Sequence, residues 1–177
     1  IKDRQYTTQQ NSEIRRSAQT AMKLMIDQLV ILVAPILSFT AEEIWQNDAD
    51  LKEKHASVFL AELDSIPDFD SNLDHDSWSR LLEIKDNVNQ KIEESRNAGE
   101  IKGSLDTEIE LTVNTSDFQL LKNLSTELHF FFIVSACNLV EGDNLEVRIK
   151  QSTFEKCTRC WHRNNSVSKS LKHPELC

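Results

Sequence analysis

The chain has 177 residues, of which 39% are hydrophobic and 28% are charged, with three Gly, three Pro and a net charge of −9. This composition excludes an intrinsically disordered chain and a turn-rich all-β sandwich, and the acidic balance argues against a protein that coats DNA through many phosphate contacts. The longest apolar run, residues 29–37, is shorter than the roughly 20 residues that span a bilayer, so we expect no membrane protein.

The chain starts with Ile1 and three charged residues, Lys2, Asp3 and Arg4. No secretory segment precedes them in this sequence, so we expect a piece of a longer, cytoplasmic protein. We also expect a monomer.

Two helices are predicted first. Apolar residues recur at steps of three and four over residues 13–34, which predicts a long amphipathic helix that ends at Pro35. Thr40 and Glu43 fit a capping box, which predicts a second helix from Thr40 to Asn47. The side chains expected to face the core from this second helix are Ile44 and Trp45.

The acidic stretch 47–76 is predicted to be mainly a connection. A third helix is predicted to start at a cap formed by Asp76 or Ser77 and to end near Gly99. Its predicted buried stripe consists of Trp78, Leu81, Leu82, Val88 and Ile92. We therefore assign residues 1–99 to a helical domain.

The hydrophobic period changes from near four to two at residues 105–113, which predicts a half-buried strand. The next apolar segments are a short helix at 117–127, a continuous run at 130–136 and an alternating segment at 145–149. Together they predict a small α+β domain over residues 100–150 with a sheet of about three strands. Cys137, at the end of the apolar run, is expected in the core as a small hydrophobe.

Three of the four cysteines lie close to the C-terminal end, with two residues between Cys157 and Cys160 and sixteen between Cys160 and Cys177. This spacing matches the first three ligands of a zinc ribbon, in which two close thiolates hold one tetrahedral ion. A segment this polar has little apolar surface to fold around without a metal. We therefore assign residues 151–177 to a zinc-binding tail that holds one Zn²⁺.

The fourth ligand of this zinc site is expected beyond residue 177. His162 or His173 could supply a nitrogen instead, although only one residue separates His162 from Cys160. The alternatives to a zinc site are free thiols or a Cys-x-x-Cys redox pair, but the context of a thioredoxin-like motif is not seen.

The tail also differs in charge. Residues 150–177 contain six basic residues and two glutamates, a net charge of +4, whereas residues 1–149 carry a net charge of −13. A basic tail with an aromatic residue is able to hold phosphates and stack on unpaired bases. The predicted RNA-contacting residues are Arg159, Trp161, His162, Arg163 and Lys169. Alternatively, Trp161 packs against the metal module and the charges are solvated.

A catalytic site is not expected in this chain. The sequence contains no phosphate-binding glycine loop, no GxSxG elbow and no HExxH motif. The carboxylates at 62–76 are more simply a solvated linker than an acid–base pair.

The segment RRSAQTAMKLMIDQLVILVAPILSFTAEEIW, residues 15–45, resembles the anticodon-binding helical domain of class I aminoacyl-tRNA synthetases of the isoleucine, valine and leucine group. The segment from Trp78 to Val113 and the CTRCWH motif of the tail resemble the C-terminal region and zinc module of bacterial-type isoleucyl-tRNA synthetases. The order of the three segments matches, and the tail favours the isoleucine type.

The resemblance implies a mainly α fold: a helical-bundle anticodon-binding domain, a small α+β unit and a C-terminal zinc-ribbon-like tail. It implies a parent enzyme that attaches isoleucine to tRNA(Ile) with ATP and Mg²⁺ and edits mischarged valine. The partners of this chain would be tRNA(Ile) and the rest of the synthetase. The family's HIGH signature is absent, so the chain is expected to recognise tRNA without catalysis. The alternative is a non-enzymatic zinc-ribbon module that binds a protein.

Overall fold

The computed structural model describes residues 2–65, 73–124 and 127–177. The chain divides into two compact units, Ile1–Asp70 and Ser71–Cys177. The described part of the first unit contains helices alone, and the second unit combines helices with one three-stranded sheet. This composition is consistent with the predicted mainly α fold. Within the described residues, no helix is both long enough and apolar enough to cross a membrane.

The first unit begins with two helices of different length, and α2 confirms the predicted helix at 13–34. Ser12 caps α2, because its hydroxyl accepts a hydrogen bond from the backbone N–H of Arg15 at 3.3 Å. The helices in the described part of the unit are α1 (Lys2–Tyr6), α2 (Glu13–Val33), α3 (Ser38–Asn47) and α4 (Ala49–Lys54), and a 3-10 turn follows at Val58–Leu60.

The core of the first unit forms where α2, α3 and α4 meet. Trp45 is 1% exposed, and its indole N–H donates to the backbone carbonyl of His55 at 2.8 Å. The other buried members are Val30, Ala34, Ala41, Leu51 and Val58. The prediction that residues 47–76 are mainly a connection is therefore wrong for α4, whose Leu51 is buried, and residues 66–72 of this stretch lie outside the described residues.

Two predictions for α3 are wrong. The helix starts at Ser38, and its N-cap residue Leu37 makes no side-chain capping bond, so Thr40 and Glu43 do not form a capping box. Ile44 is 38% exposed. The buried face is instead set by Ala41 and Trp45, which lie one turn apart and point to the same side of the helix.

The outer face of α2 is apolar and exposed. Met25, Leu29 and Leu32 are between 51% and 58% exposed, although their spacing helped to predict the helix. The periodicity therefore predicted the helix correctly without showing which of its apolar residues are buried in this unit.

The second unit begins with the long helix α5 (His75–Asn97). The predicted cap at Asp76 or Ser77 is wrong, because Asp74 is the N-cap and its carboxylate accepts from the backbone N–H of Ser77 at 2.8 Å. Gly99 follows the helix in the left-handed region, at φ +76°, as expected for a glycine at a helix end.

The buried face of α5 shares three residues with the predicted one but is centred on a different side of the helix. Leu81, Val88 and Ile92 are buried as predicted, and the fourth buried residue is Ile84. The assignment of Trp78 and Leu82 to the core is wrong, because they are 45% and 53% exposed. These two residues are one turn apart and share a face beside the buried stripe.

The sheet places β1 (Thr107–Val113) in the centre, parallel to β2 (Ala136–Glu141) and antiparallel to β3 (Glu146–Gln151). Alternate residues of β1 are buried, and three of them, Ile109, Leu111 and Val113, belong to the same core as the stripe of α5. The predicted boundary between residues 99 and 100 therefore differs from the division of the structure, because α5 and the sheet bury their apolar faces against each other.

Two short helices, α6 (Thr115–Lys122) and α7 (Leu128–Phe132), connect β1 to β2. Helix α6 is shorter than the predicted 117–127, and residues 125 and 126 lie outside the described residues. The apolar run 130–136 is not a strand: Ile133 ends α7 at φ +58°, and β2 starts at Ala136. Cys137 is consequently the second residue of a strand, and it is half-buried.

Candidate metal centre and nucleic-acid interface

The candidate metal centre is built on a short hairpin in the tail. The backbone N–H of Cys157 donates to the carbonyl of His162 at 2.9 Å, and the N–H of Trp161 donates to the carbonyl of Cys157 at 2.9 Å. Trp161 adopts a left-handed conformation, with φ +66°, at which the chain reverses. The residues that pair across this hairpin as an antiparallel bridge are Lys156 and Arg163.

The last residues of the chain pack against this hairpin through backbone hydrogen bonds. The N–H of Thr158, in the hairpin, donates to the carbonyl of Glu175 at 3.1 Å. In the segment after the hairpin, the N–H of Ser168 donates to the carbonyl of Pro174 at 2.7 Å. These bonds bring Cys177 beside the hairpin, although sixteen residues separate it from Cys160 in the sequence.

The three tail thiols form one group. The sulfur atoms of Cys157, Cys160 and Cys177 all lie within 4.8 Å of one another, and those of Cys160 and Cys177 are 3.6 Å apart. In a tetrahedral site with Zn–S bonds of about 2.3 Å, two sulfurs are separated by roughly 3.8 Å. Three soft thiol donors at this separation fit one face of a zinc tetrahedron.

Backbone dipoles and burial act in opposite directions on these thiols. Burial opposes ionisation of Cys157, but the backbone N–H groups of Cys160, Cys177 and Arg159 point at its sulfur and lower its pKa to about 7. Burial raises the pKa of Cys160 to about 12, and burial also raises the pKa of Cys177. The site therefore favours a single thiolate, at Cys157.

Neither His162 nor His173 belongs to the thiol group that the described residues form. His162 is 6% exposed, and its ring lies edge-on to the rings of His129 and Phe130, with centroids 6.0 and 5.9 Å away. Burial, and then the neighbouring His162, lower the pKa of His129. His162 thus packs in the interior, so the structure does not present its ring for the predicted base contact.

The predicted RNA-contacting cations differ in their surroundings. Arg159 and Lys169 are exposed. The side chain of Arg163 is only 25% exposed: its Nε lies 2.8 Å from a carboxylate oxygen of Asp106, and its Nη1 donates to the carbonyl of Phe154 at 2.9 Å. Arg163 therefore attaches the tail to the sheet, which is a different role from the predicted phosphate contact.

Trp161 is 60% exposed on the hairpin. The ammonium of Lys156 lies 5.6 Å from its ring centroid, within the range of a cation–π interaction. Sequence reasoning missed Lys156 because the two residues are five positions apart and become neighbours only when the hairpin forms. The combination presents an aromatic face next to a positive charge at the surface.

The sequence of this chain matches a known protein family. The family model of the anticodon-binding domain of tRNA ligase matches residues 1–111, which is more than half of the chain. The chain therefore belongs to the anticodon-binding domain family of tRNA ligases.

Among curated proteins the chain is similar to isoleucine–tRNA ligases. It is 41% identical to the enzyme of Saccharophagus degradans over 189 residues and to that of Teredinibacter turnerae over 191 residues. The enzyme of Dichelobacter nodosus is 41% identical over 179 residues. Each match covers 100% of this chain but only 19–20% of the relative, so the chain spans about a fifth of the length of these relatives.

Proposed function

We propose that this chain is the tRNA-recognition part of an isoleucine–tRNA ligase. The observation that carries the proposal is the 41% identity over the whole chain to proteins of that name, in a chain that belongs to the anticodon-binding family. The parent enzyme would attach isoleucine to tRNA(Ile) in the cytoplasm, using ATP and Mg²⁺ in a part outside these residues, and would edit mischarged valine. This chain would contribute binding energy and orientation.

The second element of the proposal is a structural Zn²⁺ held by Cys157, Cys160 and Cys177, with a fourth donor from outside this group. The separation of the three sulfurs supports it. When bound, zinc supplies a cross-link between the hairpin and the end of the chain. The thiols would then fix the position of Trp161, since this residue directly follows Cys160.

The third element is the RNA contact itself. Trp161 would stack on a splayed base of the anticodon loop, and Arg159 and Lys169 would contact phosphates. The exposure of these three side chains supports this assignment, as does the positive balance of the tail. Arg163 and His162 would support the hairpin from inside.

The proposal is tested by measuring the affinity for the anticodon stem-loop of tRNA(Ile) against that of another tRNA over a range of salt concentrations. We expect binding that prefers tRNA(Ile) and weakens steeply with salt. Trp161→Ala should weaken binding about tenfold through the loss of one stacked base. Trp78→Ala is the matched control, since Trp78 is also half-exposed but lies outside the tail. Binding without preference or salt dependence would favour a protein-interaction module.

The metal is tested separately by counting zinc atoms per molecule after purification without added metal. Cys157→Ser should lose bound zinc, whereas Cys137→Ala should retain it, because Cys137 lies in β2 outside the thiol group. Equal zinc content in both variants would contradict the assignment of the ligands.

The place of the chain in the parent reaction has its own test. A parent enzyme without these residues should form isoleucyl-adenylate normally and charge tRNA poorly, because binding energy far from the reacting atoms is used in the transfer step. Normal charging by such an enzyme would overturn the proposal.

A further inference from the structure

Two cations of the tail converge on one carboxylate that lies outside the tail. Asp106 ends the 3-10 turn Ser104–Asp106 directly before β1, and its side chain is 14% exposed. The Nε of Arg163 lies 2.8 Å from its Oδ1, and the Nζ of Lys156 lies 4.0 Å from the same oxygen. These two cations are the residues that pair across the hairpin.

The same hairpin is attached to this end of the sheet by uncharged hydrogen bonds. The backbone N–H of Arg163 donates to the hydroxyl of Ser135 at 2.7 Å, and this hydroxyl donates to the carbonyl of Leu105. Before the hairpin, at the start of the tail, the backbone N–H of Ser152 donates to the carbonyl of Asp106 at 2.8 Å. The backbone attachment therefore does not depend on the Asp106 carboxylate, which is free to act on side-chain orientation.

Lys156 connects the carboxylate to the indole. Its ammonium lies 4.0 Å from Oδ1 of Asp106 and 5.6 Å from the ring centroid of Trp161. An ammonium on a long flexible stem has many rotamers, and a fixed carboxylate on one side restricts them. With Asp106 in place, the ammonium is held near the aromatic ring.

We infer that Asp106 is a positioning residue for Trp161: it holds Lys156 against the indole and Arg163 against the sheet, and so sets the orientation of the stacking surface. This inference rests on the proposed RNA-binding function and adds to it a residue 55 positions before Trp161 in the sequence.

The inference predicts an effect opposite to that of simple electrostatics. Asp106 is an acid close to the proposed RNA contact, where a negative charge repels phosphates. If charge alone mattered, Asp106→Asn would tighten RNA binding. If Asp106 positions Trp161, the same substitution weakens binding because Lys156 loses its carboxylate partner and Arg163 loses an ion pair, although Arg163 keeps its hydrogen bond to the carbonyl of Phe154.

The first measurement is the affinity of the complete 177-residue chain for the anticodon stem-loop of tRNA(Ile). Asp106→Asn should weaken binding about fivefold. Glu110→Gln is the matched control: Glu110 lies on β1, is 42% exposed and pairs with Arg148 at 3.4 Å, so this substitution removes an equal charge four residues along the chain from Asp106. We expect Glu110→Gln to leave binding unchanged or slightly tighter. Unchanged or tighter binding by Asp106→Asn would overturn the inference.

The second measurement needs no RNA. In a Trp78→Phe background, Trp161 is the one exposed tryptophan of the three, because Trp45 is 1% exposed. Asp106→Asn should increase quenching of its fluorescence by acrylamide, a neutral quencher, and Asp106→Glu should partly reverse the increase. A purely structural role would lower the melting temperature without changing the quenching, and that result would also overturn the inference.

These two measurements distinguish a failure of the proposed RNA binding from a failure of the proposed role of Asp106. If the wild-type chain binds no RNA, the proposed function fails, while the quenching result still decides the role of Asp106. If Asp106→Asn does not fold, Lys156→Gln takes its place, since it keeps the pair of Asp106 and Arg163. Lys156→Gln should increase the quenching in the same way, and unchanged quenching would overturn the inference.

Discussion

The ion pair between Arg80 and Asp117 connects α5 to α6. Asp117 has a 7% exposed side chain and accepts hydrogen bonds from Nε of Arg80 at 3.0 Å and from Nη2 at 2.8 Å. The side-chain amide of Asn114 donates to the same carboxylate at 3.1 Å. This bidentate pair orders both side chains and supplies hydrogen-bond donors to a carboxylate that is poorly accessible to water.

Asp117→Asn keeps the size of the side chain but turns an amide N–H₂ toward the guanidinium. One charge-assisted hydrogen bond is lost, which is worth about 1.5–3 kcal/mol. The side chain of Arg80 is 40% exposed, so water recovers part of its hydration. We therefore expect the free energy of unfolding to fall by about 1–2 kcal/mol, and Arg80→Met to cost about 2–3 kcal/mol because it leaves the buried carboxylate without its main partner.

The assay is urea unfolding of both single variants and the double variant, measured at several pH values. The hydrogen bonds from Arg80, which outweigh burial, hold the pKa of Asp117 below its usual value of 3.8. A carboxylate with a lowered folded-state pKa contributes its full stability above the unfolded pKa and loses it as the pH falls through the folded pKa. The coupling energy should therefore be about 1 kcal/mol at pH 7 and should shrink below roughly pH 4.

An exposed ion pair serves as the control. Lys91 and Glu94 pair at 2.7 Å on α5, and both side chains are at least 50% exposed, so Glu94→Gln should leave the midpoint unchanged. A coupling energy between Arg80 and Asp117 that is close to zero, or that is the same at pH 3 and pH 7, would refute the reasoning.

Two further predictions concern stability. Trp45→Phe should lower the free energy of unfolding, measured with urea, by about 1.5–3 kcal/mol, because it leaves the carbonyl of His55 without its indole donor and opens space in the core. A loss as small as that of Ile44→Val would contradict this expectation. Ile133→Asn should raise the free energy of unfolding by about 0.5–1 kcal/mol, since the β-branched Ile133 is 48% exposed at φ +58°, where asparagine is more favourable. An unchanged or lower melting temperature would show that Ile133 carries no strain.

The sequence predicted the long helices well because their periodicity is a local property. Helix α2 and the end of α5 near Gly99 match the predicted positions closely. The capping box at Thr40 was wrong because a competing start at Ser38 extends the same helix. The burial of Trp78 and Leu82 was wrong because helix periodicity shows that an apolar face exists without showing where the neighbouring elements cover it.

The sequence by itself predicted that Cys157 and Cys160 lie together, since two intervening residues bring both sulfurs to one side of a turn, whereas Cys177 joins them only through backbone hydrogen bonds of the folded tail. Only the tertiary structure decided what the basic residues of the tail do. Arg163 and Lys156 meet Asp106, which lies 57 and 50 positions earlier in the sequence, and His162 packs beside His129, because the tail folds back on the residues just before β1. Such contacts depend on how distant segments pack, which no local spacing encodes.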